Sequence, residues 1–219
     1  MNRVPTGCAT IDDLLGGGIE SGSVTLFYGE AGTGKTNICL QTAANCIASG
    51  KKVAYLDTEG LSSERIRQIV GDGDAARSLL IFSIHGFEEQ TEAIAKACKL
   101  VAGNESVAMI IVDSMTMYYR LNYDDMHSRN EFVRQTETLL NTARKYQVAV
   151  LLTSQVYTNI GLGTIEFLGG HALHHNAKTI VRLDKRPNNR RSAVVVKHRS
   201  IPEGRLAHYR ITETGIEGV

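Results

Sequence analysis

The stretch Gly29-Glu30-Ala31-Gly32-Thr33-Gly34-Lys35-Thr36 directly follows the apolar run Val24-Thr25-Leu26-Phe27-Tyr28. It has the form Gly-x-x-x-x-Gly-Lys-Thr, which between a strand and a helix is a P-loop: glycine-rich backbone N–H groups and the helix N-terminus cradle a polyphosphate. In that arrangement Lys35 bridges the β- and γ-phosphates and the Thr36 hydroxyl binds Mg²⁺. A chance match is the alternative, and the strand and helix predicted on either side argue against it. The sequence therefore predicts a nucleotide site.

Length and composition indicate one α/β domain over residues 1–219, because 219 residues with 42% hydrophobic content can form a sizeable core. The four cysteines lack the paired short spacing of zinc or redox sites, as expected in a reducing compartment. The chain has no apolar signal segment and nothing close to the roughly 18 apolar residues that a membrane span needs. We therefore expect a cytoplasmic protein that does not contact membranes.

Charge is distributed unevenly along the chain. Residues 178–219 contain ten Lys and Arg against four Asp and Glu, a net +6, whereas the rest carries −5. A basic segment of this kind predicts an anionic partner, and a solvated sheet face is the alternative.

Apolar runs alternate with helical patterns along most of the chain. After a lead-in over residues 1–22, further strands are predicted over 53–57, 79–84, 107–112 and 148–153, and helices after the P-loop, from about 62, over 88–101 and over 130–146. Residues 178–219 read as an antiparallel meander with turns at 187–190 and 202–204. The predicted fold is a mostly parallel twisted α/β sheet, with helices on both faces and a C-terminal antiparallel extension.

Polar side chains follow three of these strands. Asp113 ends an unbroken apolar run, which is the Walker B pattern of a carboxylate that holds Mg²⁺; a carboxylate that merely caps a strand is the alternative. Glu59 follows the strand predicted over 53–57 and is our candidate base for the attacking water. Gln155 follows the last of the three, where it either senses the γ-phosphate or caps the strand.

Two other segments leave more than one interpretation open. Residues 157–170 show no periodicity and are expected to form a mobile loop. His171, His174 and His175 have i, i+3, i+4 spacing, which suits a metal site on one helix face, although no Cys or carboxylate lies nearby to complete four ligands.

Short motifs follow one another along nearly the whole chain: Pro5-Thr6-Gly7, Gly17 to Gly22, Gly29 to Thr36, Leu56 to Gly60, Ile111 to Ser114, Ser154-Gln155, Gly169-Gly170-His171 and Ile201 to Gly204. In this order they resemble the RecA family of recombinases. The resemblance implies a RecA-like P-loop ATPase core, ATP·Mg²⁺ binding and DNA transactions. It implies that Glu59 is the catalytic glutamate, Asp113 the Walker B aspartate and Gln155 the γ-phosphate sensor, that Arg65 stacks on adenine, and that DNA loops lie at about 120–129 and 156–168.

Departures from the family pattern predict a reduced activity. The chain starts just before the ATPase core and lacks the N-terminal domain and polymerisation motif of full recombinases, so neither filaments nor strand exchange are expected. The first loop carries Asp124-Asp125, and the second has no Lys or Arg. Lys197-His198-Arg199 stands where full recombinases have an acidic residue. The chain thus resembles a short archaeal paralogue that binds ATP and DNA, hydrolyses ATP feebly and assists recombinational repair.

The expected partners are single- or double-stranded DNA, the full-length recombinase RadA and a Holliday-junction resolvase. We predict that the DNA surface lies in the basic tail and comprises Lys185, Arg186, Arg190, Arg191, Lys197, His198 and Arg199, with a hydrated hairpin rim as the alternative. Two other functions stay open: a DNA-stimulated recombinase, and an ATP-switched protein adaptor for which DNA is irrelevant.

Overall fold

A computed structural model of the protein describes residues 2–121, 125–159, 164–167 and 169–219. The helices are α1 (Ala9–Leu14), α2 (Lys35–Ala48), α3 (Ser63–Ile69), α4 (Asp74–Ser78), α5 (Phe87–Gly103), α6 (Met126–Tyr146) and α7 (Gly170–Asn176). The strands are β1 (Arg3–Val4), β2 (Ile19–Glu20), β3 (Ser23–Gly29), β4 (Lys52–Asp57), β5 (Leu79–Ser83), β6 (Val107–Asp113), β7 (Ala149–Ser154), β8 (Val156–Asn159), β9 (Thr164–Phe167), β10 (Thr179–Lys185), β11 (Arg190–Lys197), β12 (Leu206–Thr212) and β13 (Gly215–Gly218).

Nine of these strands form one sheet in the order β13-β12-β11-β10-β3-β7-β6-β4-β5. The six strands from β10 to β5 run parallel to their neighbours, and β11, β12 and β13 continue the sheet in antiparallel pairs. This arrangement confirms the predicted mostly parallel sheet with a C-terminal antiparallel extension.

The core has two layers, one on each face of the sheet. Successive residues of β3 show why: Phe27 faces the cluster that includes Ile38 of α2, and Leu26 faces the cluster that includes Ile94 of α5 and Leu139 of α6. A strand buried on both faces favours apolar side chains on both, which accounts for the largely apolar sequence of β3.

The structure corrects the predicted role of β10. It was expected to open the antiparallel meander, but it pairs in parallel with β3, with Ile180 opposite Leu26 and Leu183 opposite Gly29. The chain between β7 and β10 crosses over through β8, β9 and α7, and a crossover connection is what parallel pairing requires. The carboxyl end of β10 therefore lies beside the P-loop.

Helix α6 begins at Met126, four residues before the predicted start. Asp125 caps it, because the Oδ2 atom accepts hydrogen bonds from the backbone N and the Oγ of Ser128 at 2.7 and 2.8 Å. These bonds lower the pKa of Asp125. Asp125 thus serves as a helix cap, and its neighbour Asp124 lies outside the described residues.

The segment expected to be a structureless loop contains a β-hairpin. β8 and β9 pair antiparallel with Val156 opposite Phe167, and the β-branched and aromatic residues of both strands favour this conformation. Residues 160–163 and 168, which belong to the predicted second DNA loop, lie outside the described residues.

Two short elements, α4 and β13, were not predicted from the sequence. Within the described residues, no helix combines the length and the apolar character that crossing a bilayer requires.

Candidate functional site

Four strand ends meet at one edge of the sheet. The order β3-β7-β6-β4 places the P-loop, Gln155, Asp113 and Glu59 after neighbouring parallel strands. The registers keep these ends level, since Tyr28 pairs with Ser154 and Asp57 pairs with Asp113. The predicted nucleotide residues are therefore brought together at the carboxyl edge, where open α/β sheets bind ligands.

Backbone contacts explain two kinds of glycine in the P-loop. Gly29 lies against β10 so closely that a Cβ atom would stand 2.3 Å from the carbonyl oxygen of Leu183. Gly32 and Gly34 have positive φ angles of 78° and 98°, which let the loop turn before α2 begins at Lys35. Steric contact with β10 thus excludes a side chain at position 29, and the backbone conformation favours glycine at positions 32 and 34.

Lys35 is folded back onto its own loop. Its Nζ donates hydrogen bonds to the carbonyl oxygens of Gly29 and Glu30 at 2.8 and 3.0 Å. Burial lowers the pKa of Lys35, and the negative charges of Glu59 and Asp113 partly oppose that shift. The Lys35 ammonium thus lies near two carboxylates, where a Mg²⁺-bound polyphosphate is expected.

Asp113 is almost fully buried at the end of β6, with 2% of its surface exposed. The hydroxyl of Tyr55 donates to Oδ2 at 2.8 Å and the hydroxyl of Thr153 donates to Oδ1 at 2.5 Å. Burial and then the charge of Asp113 raise the pKa of Tyr55, so this hydroxyl keeps its proton. The two bonds fix the carboxylate and leave lone pairs on both oxygens for a metal or its water.

The turn that carries Glu59 is held by Asp57, which the sequence analysis did not single out. Its Oδ1 accepts the N–H groups of Glu59 and Gly60 at 3.1 and 2.9 Å, and its Oδ2 accepts that of Leu61 at 2.7 Å. Aspartate commonly bonds to backbone groups two residues on, so the Asp57-Thr58-Glu59-Gly60 pattern was a usable signal.

Glu59 and Gln155 are in direct contact. The Nε2 of Gln155 donates to Oε1 of Glu59 at 2.8 Å, and its Oε1 accepts from Nη1 of Arg120 at 2.7 Å. Arg120 lies in a 3₁₀ turn over Tyr119–Leu121, within the predicted first DNA loop. Arg120 could not be identified from the sequence, because no local pattern places it beside a residue 35 positions away.

Arg65 lies between α2 and the turn that joins β12 to β13. Its Nε donates to Oδ1 of Asn37 at 2.7 Å, and its Nη2 donates to the carbonyl oxygen of Thr212 at 2.8 Å. Another hydrogen bond joins Nη1 to the carbonyl oxygen of Glu213. Guanidinium donors lie in the plane of the group, so its face can still stack on a ring. The adenine role stays a prediction.

The C-terminal strands also contact the P-loop. The Nζ of Lys185 lies 3.8 Å from Oε2 of Glu30. Arg191 donates to the carbonyl oxygen of Gly32, and Tyr209 donates to that of Thr33. Lys185 and Arg191, predicted as part of a DNA surface, thus lie at the P-loop together with Tyr209, for which no sequence pattern predicts a role.

The seven predicted DNA-binding residues do not form one surface. In the β10–β11 hairpin Lys185 pairs with Arg191 and Ile180 pairs with Lys197, so the two ends are roughly 17 Å apart at about 3.4 Å per residue. Lys185, Arg186, Arg190 and Arg191 form the tip group beside the P-loop.

Lys197, His198 and Arg199 lie at the opposite edge of the sheet and are engaged by the protein itself. Lys197 donates to the carbonyl oxygen of Ala177 at 3.0 Å, and Arg199 pairs with the buried Glu20 at 3.2 Å.

The histidines predicted as a possible metal site fall on α7, as their spacing indicated. Among the described residues, no group of three His, Cys, Asp or Glu side chains is arranged to hold a metal ion.

Comparisons with known proteins agree with this geometry. The family model described as Rad51 matches residues 1–219. The protein named "DNA repair and recombination protein RadB" of Methanococcoides burtonii is 45% identical over 215 residues, which are 95% of this chain and 95% of that protein. Its namesake in Archaeoglobus fulgidus is 45% identical over 218 residues, covering 98% and 97% of the two chains.

A solved structure gives the same result at the level of the fold. The "Crystal structure of the RadB recombinase" superposes with a TM-score of 0.87 at 38% identity, covering 99% of this chain and 100% of that one. The predicted RecA-like fold and the predicted resemblance are confirmed. Because one family model matches the whole sequence and nearly full-length relatives are 45% identical, the chain belongs to the Rad51 family.

Proposed function

We propose that this protein binds ATP·Mg²⁺ and DNA and assists homologous recombination and DNA repair, with slow ATP turnover and no strand exchange of its own. The observation that carries the proposal is the meeting of the P-loop, Asp113, Glu59 and Gln155 at one sheet edge. The names of the relatives support the recombination and repair role. RadA and a Holliday-junction resolvase are the partners we propose.

The residues at this edge suit ATP·Mg²⁺. Loop N–H groups and Lys35 would hold the phosphates, and Thr36 and Asp113 would hold the metal. The bound metal and nucleotide supply an activated γ-phosphoryl group. Glu59 lies at the exposed rim, where its carboxylate can orient a water and accept its proton, and Gln155 fixes the position of that carboxylate.

Our proposal of slow turnover is supported by the hydrogen bonds that the nearby arginines make. Arg65, Arg120 and Arg191 each donate hydrogen bonds to oxygens of the protein itself. P-loop hydrolysis without an arginine aimed at the transferred phosphate can be about 10³ to 10⁵ slower than with one. We therefore expect substantial ATP binding but little hydrolysis from the isolated protein.

For DNA, we propose the tip group as the contact surface. Arg186 and Arg190 are exposed, and Asn188 and Asn189 with φ angles of 57° form the tight turn between them. Arg186 bonds to Ser192 at 2.9 Å and pairs with Asp184 at 3.5 Å, but both Arg186 and Arg190 flank an exposed turn from which cations can reach phosphates.

The nucleotide part is tested by titrating a fluorescent ATP analogue with Mg²⁺ against the wild type and Lys35→Ala, alongside ATP turnover with and without single-stranded DNA. We expect the wild type to bind, Lys35→Ala to lose binding, and turnover to stay low in both conditions. Strong DNA-stimulated turnover would instead identify a recombinase in its own right. Equal binding by both proteins would refute the P-loop assignment.

The DNA part is tested by fluorescence anisotropy at two salt concentrations. Arg186→Glu with Arg190→Glu should weaken binding and flatten its salt dependence. The matched control is Lys96→Glu with Lys99→Glu, which reverses two exposed cations on α5 and changes the net charge by the same amount. If both double variants bind alike, the tip group is not the surface, and a wild type that binds no DNA would favour the adaptor.

A further inference from the structure

We infer that Tyr209 of β12, together with Arg191 of β11, positions the phosphate-binding loop by holding two of its backbone carbonyl groups. The inference rests on the proposed nucleotide site and adds to it a part supplied by the C-terminal strands. Tyr209 and Arg191 are positioning residues here, because they contact the loop and not the nucleotide.

A loop that directs its N–H groups toward a phosphate must direct carbonyl groups elsewhere, and a buried carbonyl needs a donor. The loop supplies some donors itself: Lys35 bonds to the carbonyl oxygens of Gly29 and Glu30, and the Thr33 hydroxyl bonds to that of Glu30. The buried carbonyl of Thr33 and the exposed carbonyl of Gly32 accept hydrogen bonds from side chains outside the loop.

The hydroxyl of Tyr209 donates a hydrogen bond to the carbonyl oxygen of Thr33. The hydroxyl-to-oxygen distance is 2.7 Å, and both residues are fully buried, so water does not compete for either partner. A carbonyl oxygen can only accept, so the hydroxyl must donate. Burial raises the pKa of Tyr209, which keeps its proton in place at neutral pH.

The guanidinium of Arg191 donates hydrogen bonds to the carbonyl oxygen of Gly32. Its Nε and Nη2 lie 3.4 and 3.3 Å from that oxygen. Its Nη1 is anchored at 2.5 Å by both the backbone and side-chain oxygens of Asn189. The guanidinium therefore joins the turn at the hairpin tip to the P-loop.

A third contact comes from the same strand as Tyr209. Ile211 packs on Gly34, where a Cβ atom would stand 3.2 Å from the Ile211 Cδ1. Side chains more than 150 positions away in sequence thus hold three consecutive residues of the loop. Without these donors, the peptide groups at Gly32 and Thr33 can rotate toward other partners and turn N–H groups away from a phosphate.

Tyr209→Phe removes only the hydroxyl, and Tyr118→Phe is the matched control. Tyr118 donates from its hydroxyl to the carbonyl oxygen of Ile84 at 2.9 Å, away from the loop. The probes are a fluorescent ATP analogue with Mg²⁺ and inorganic tripolyphosphate as its competitor. Tripolyphosphate reports on the loop alone, since it carries no base.

We expect Tyr209→Phe to weaken the binding of both probes about tenfold, the order expected for a buried carbonyl left unpaired, and Tyr118→Phe to stay within about twofold of the wild type. Arg191→Lys keeps the charge but loses the forked contact, and we expect about threefold weaker binding. If Tyr209→Phe binds both probes as tightly as Tyr118→Phe does, the inference is overturned.

The remaining outcomes are also decisive. If Tyr209→Phe does not fold, Arg191→Lys decides, and wild-type affinity in that variant would show that only charge matters and would overturn the inference. If the wild type binds neither probe, the proposed nucleotide site itself fails. A wild type that binds, together with a Lys35→Ala variant that does not, confines any failure to the positioning role.

Discussion

Replacing Asp57 by Asn tests whether the turn that carries Glu59 is held by a carboxylate. The two oxygens of Asp57 accept three backbone N–H groups at 2.7 to 3.1 Å, and the residue is buried. The asparagine side chain has only one oxygen. In either orientation its NH₂ group therefore faces at least one of the three backbone N–H groups. Asp57→Asn therefore loses at least one part-buried hydrogen bond to a charged acceptor.

A hydrogen bond to a charged group contributes about 1.5–3 kcal/mol, and we expect Asp57→Asn to lower the free energy of unfolding by that amount. For a chain of this size the same loss lowers Tm by about 3–12 °C. Because the freed N–H groups belong to residues 59–61, the base should also be misplaced and single-turnover ATP hydrolysis should slow by about tenfold or more.

Asp12→Asn is the matched control. Asp12 accepts the N–H and hydroxyl of Thr6 at 2.6 and 2.8 Å and the N–H of Gly7 at 3.1 Å, in the N-terminal lead-in. It should lose stability in urea unfolding followed by circular dichroism, yet hydrolyse ATP at the wild-type rate. The reasoning is refuted if Asp57→Asn unfolds like the wild type, or if Asp12→Asn slows hydrolysis equally.

Three further outcomes are expected. Gly29→Ala should lower the free energy of unfolding by about 1–3 kcal/mol, seen as a lower urea midpoint, because its Cβ would meet the Leu183 carbonyl oxygen at 2.3 Å. Arg120→Ala and Gln155→Ala should show about 0.5–1 kcal/mol of coupling in a double-mutant cycle on unfolding, since the two side chains are hydrogen-bonded at 2.7 Å. Burial and neighbouring cations lower the pKa of His198 below 6.5, so the folded state binds fewer protons than the unfolded state and stability falls as the pH drops through that value. In thermal melts from pH 7.5 to 5.5, His198→Asn should lose less stability than the wild type.

Each of these has a result that contradicts it. Gly86→Ala is the control for the glycine variant, since nothing lies within 4 Å of its Cβ position, and equal midpoints for the two would remove the steric argument. Additive effects in the double-mutant cycle would show that the arginine contact is not energetically coupled. If His198→Asn shows the same dependence of stability on pH as the wild type, other groups cause it. The leading candidate is His174, whose pKa is also lowered by burial.

The sequence by itself predicted the candidate nucleotide site because that prediction depends on local rules. A P-loop needs glycines and a lysine at fixed spacing, so Gly29 to Thr36 could be recognised without a fold. Parallel strands end at one edge of a sheet, so polar residues that follow apolar runs could be placed there, as with Asp113 and Glu59. The ordered motifs then led to the RecA-like fold, which the comparisons confirm.

Contacts between distant segments could not be derived in this way. Tyr209 and Arg191 reach the loop only because β10 runs parallel to β3 and brings the hairpin beside it. The same pairing separates Lys197 from Lys185, two residues that the sequence had suggested belong to one basic surface. Strand direction and register are set by long crossovers and by packing on both faces of the sheet, so the neighbours of the P-loop were decided by the tertiary structure alone.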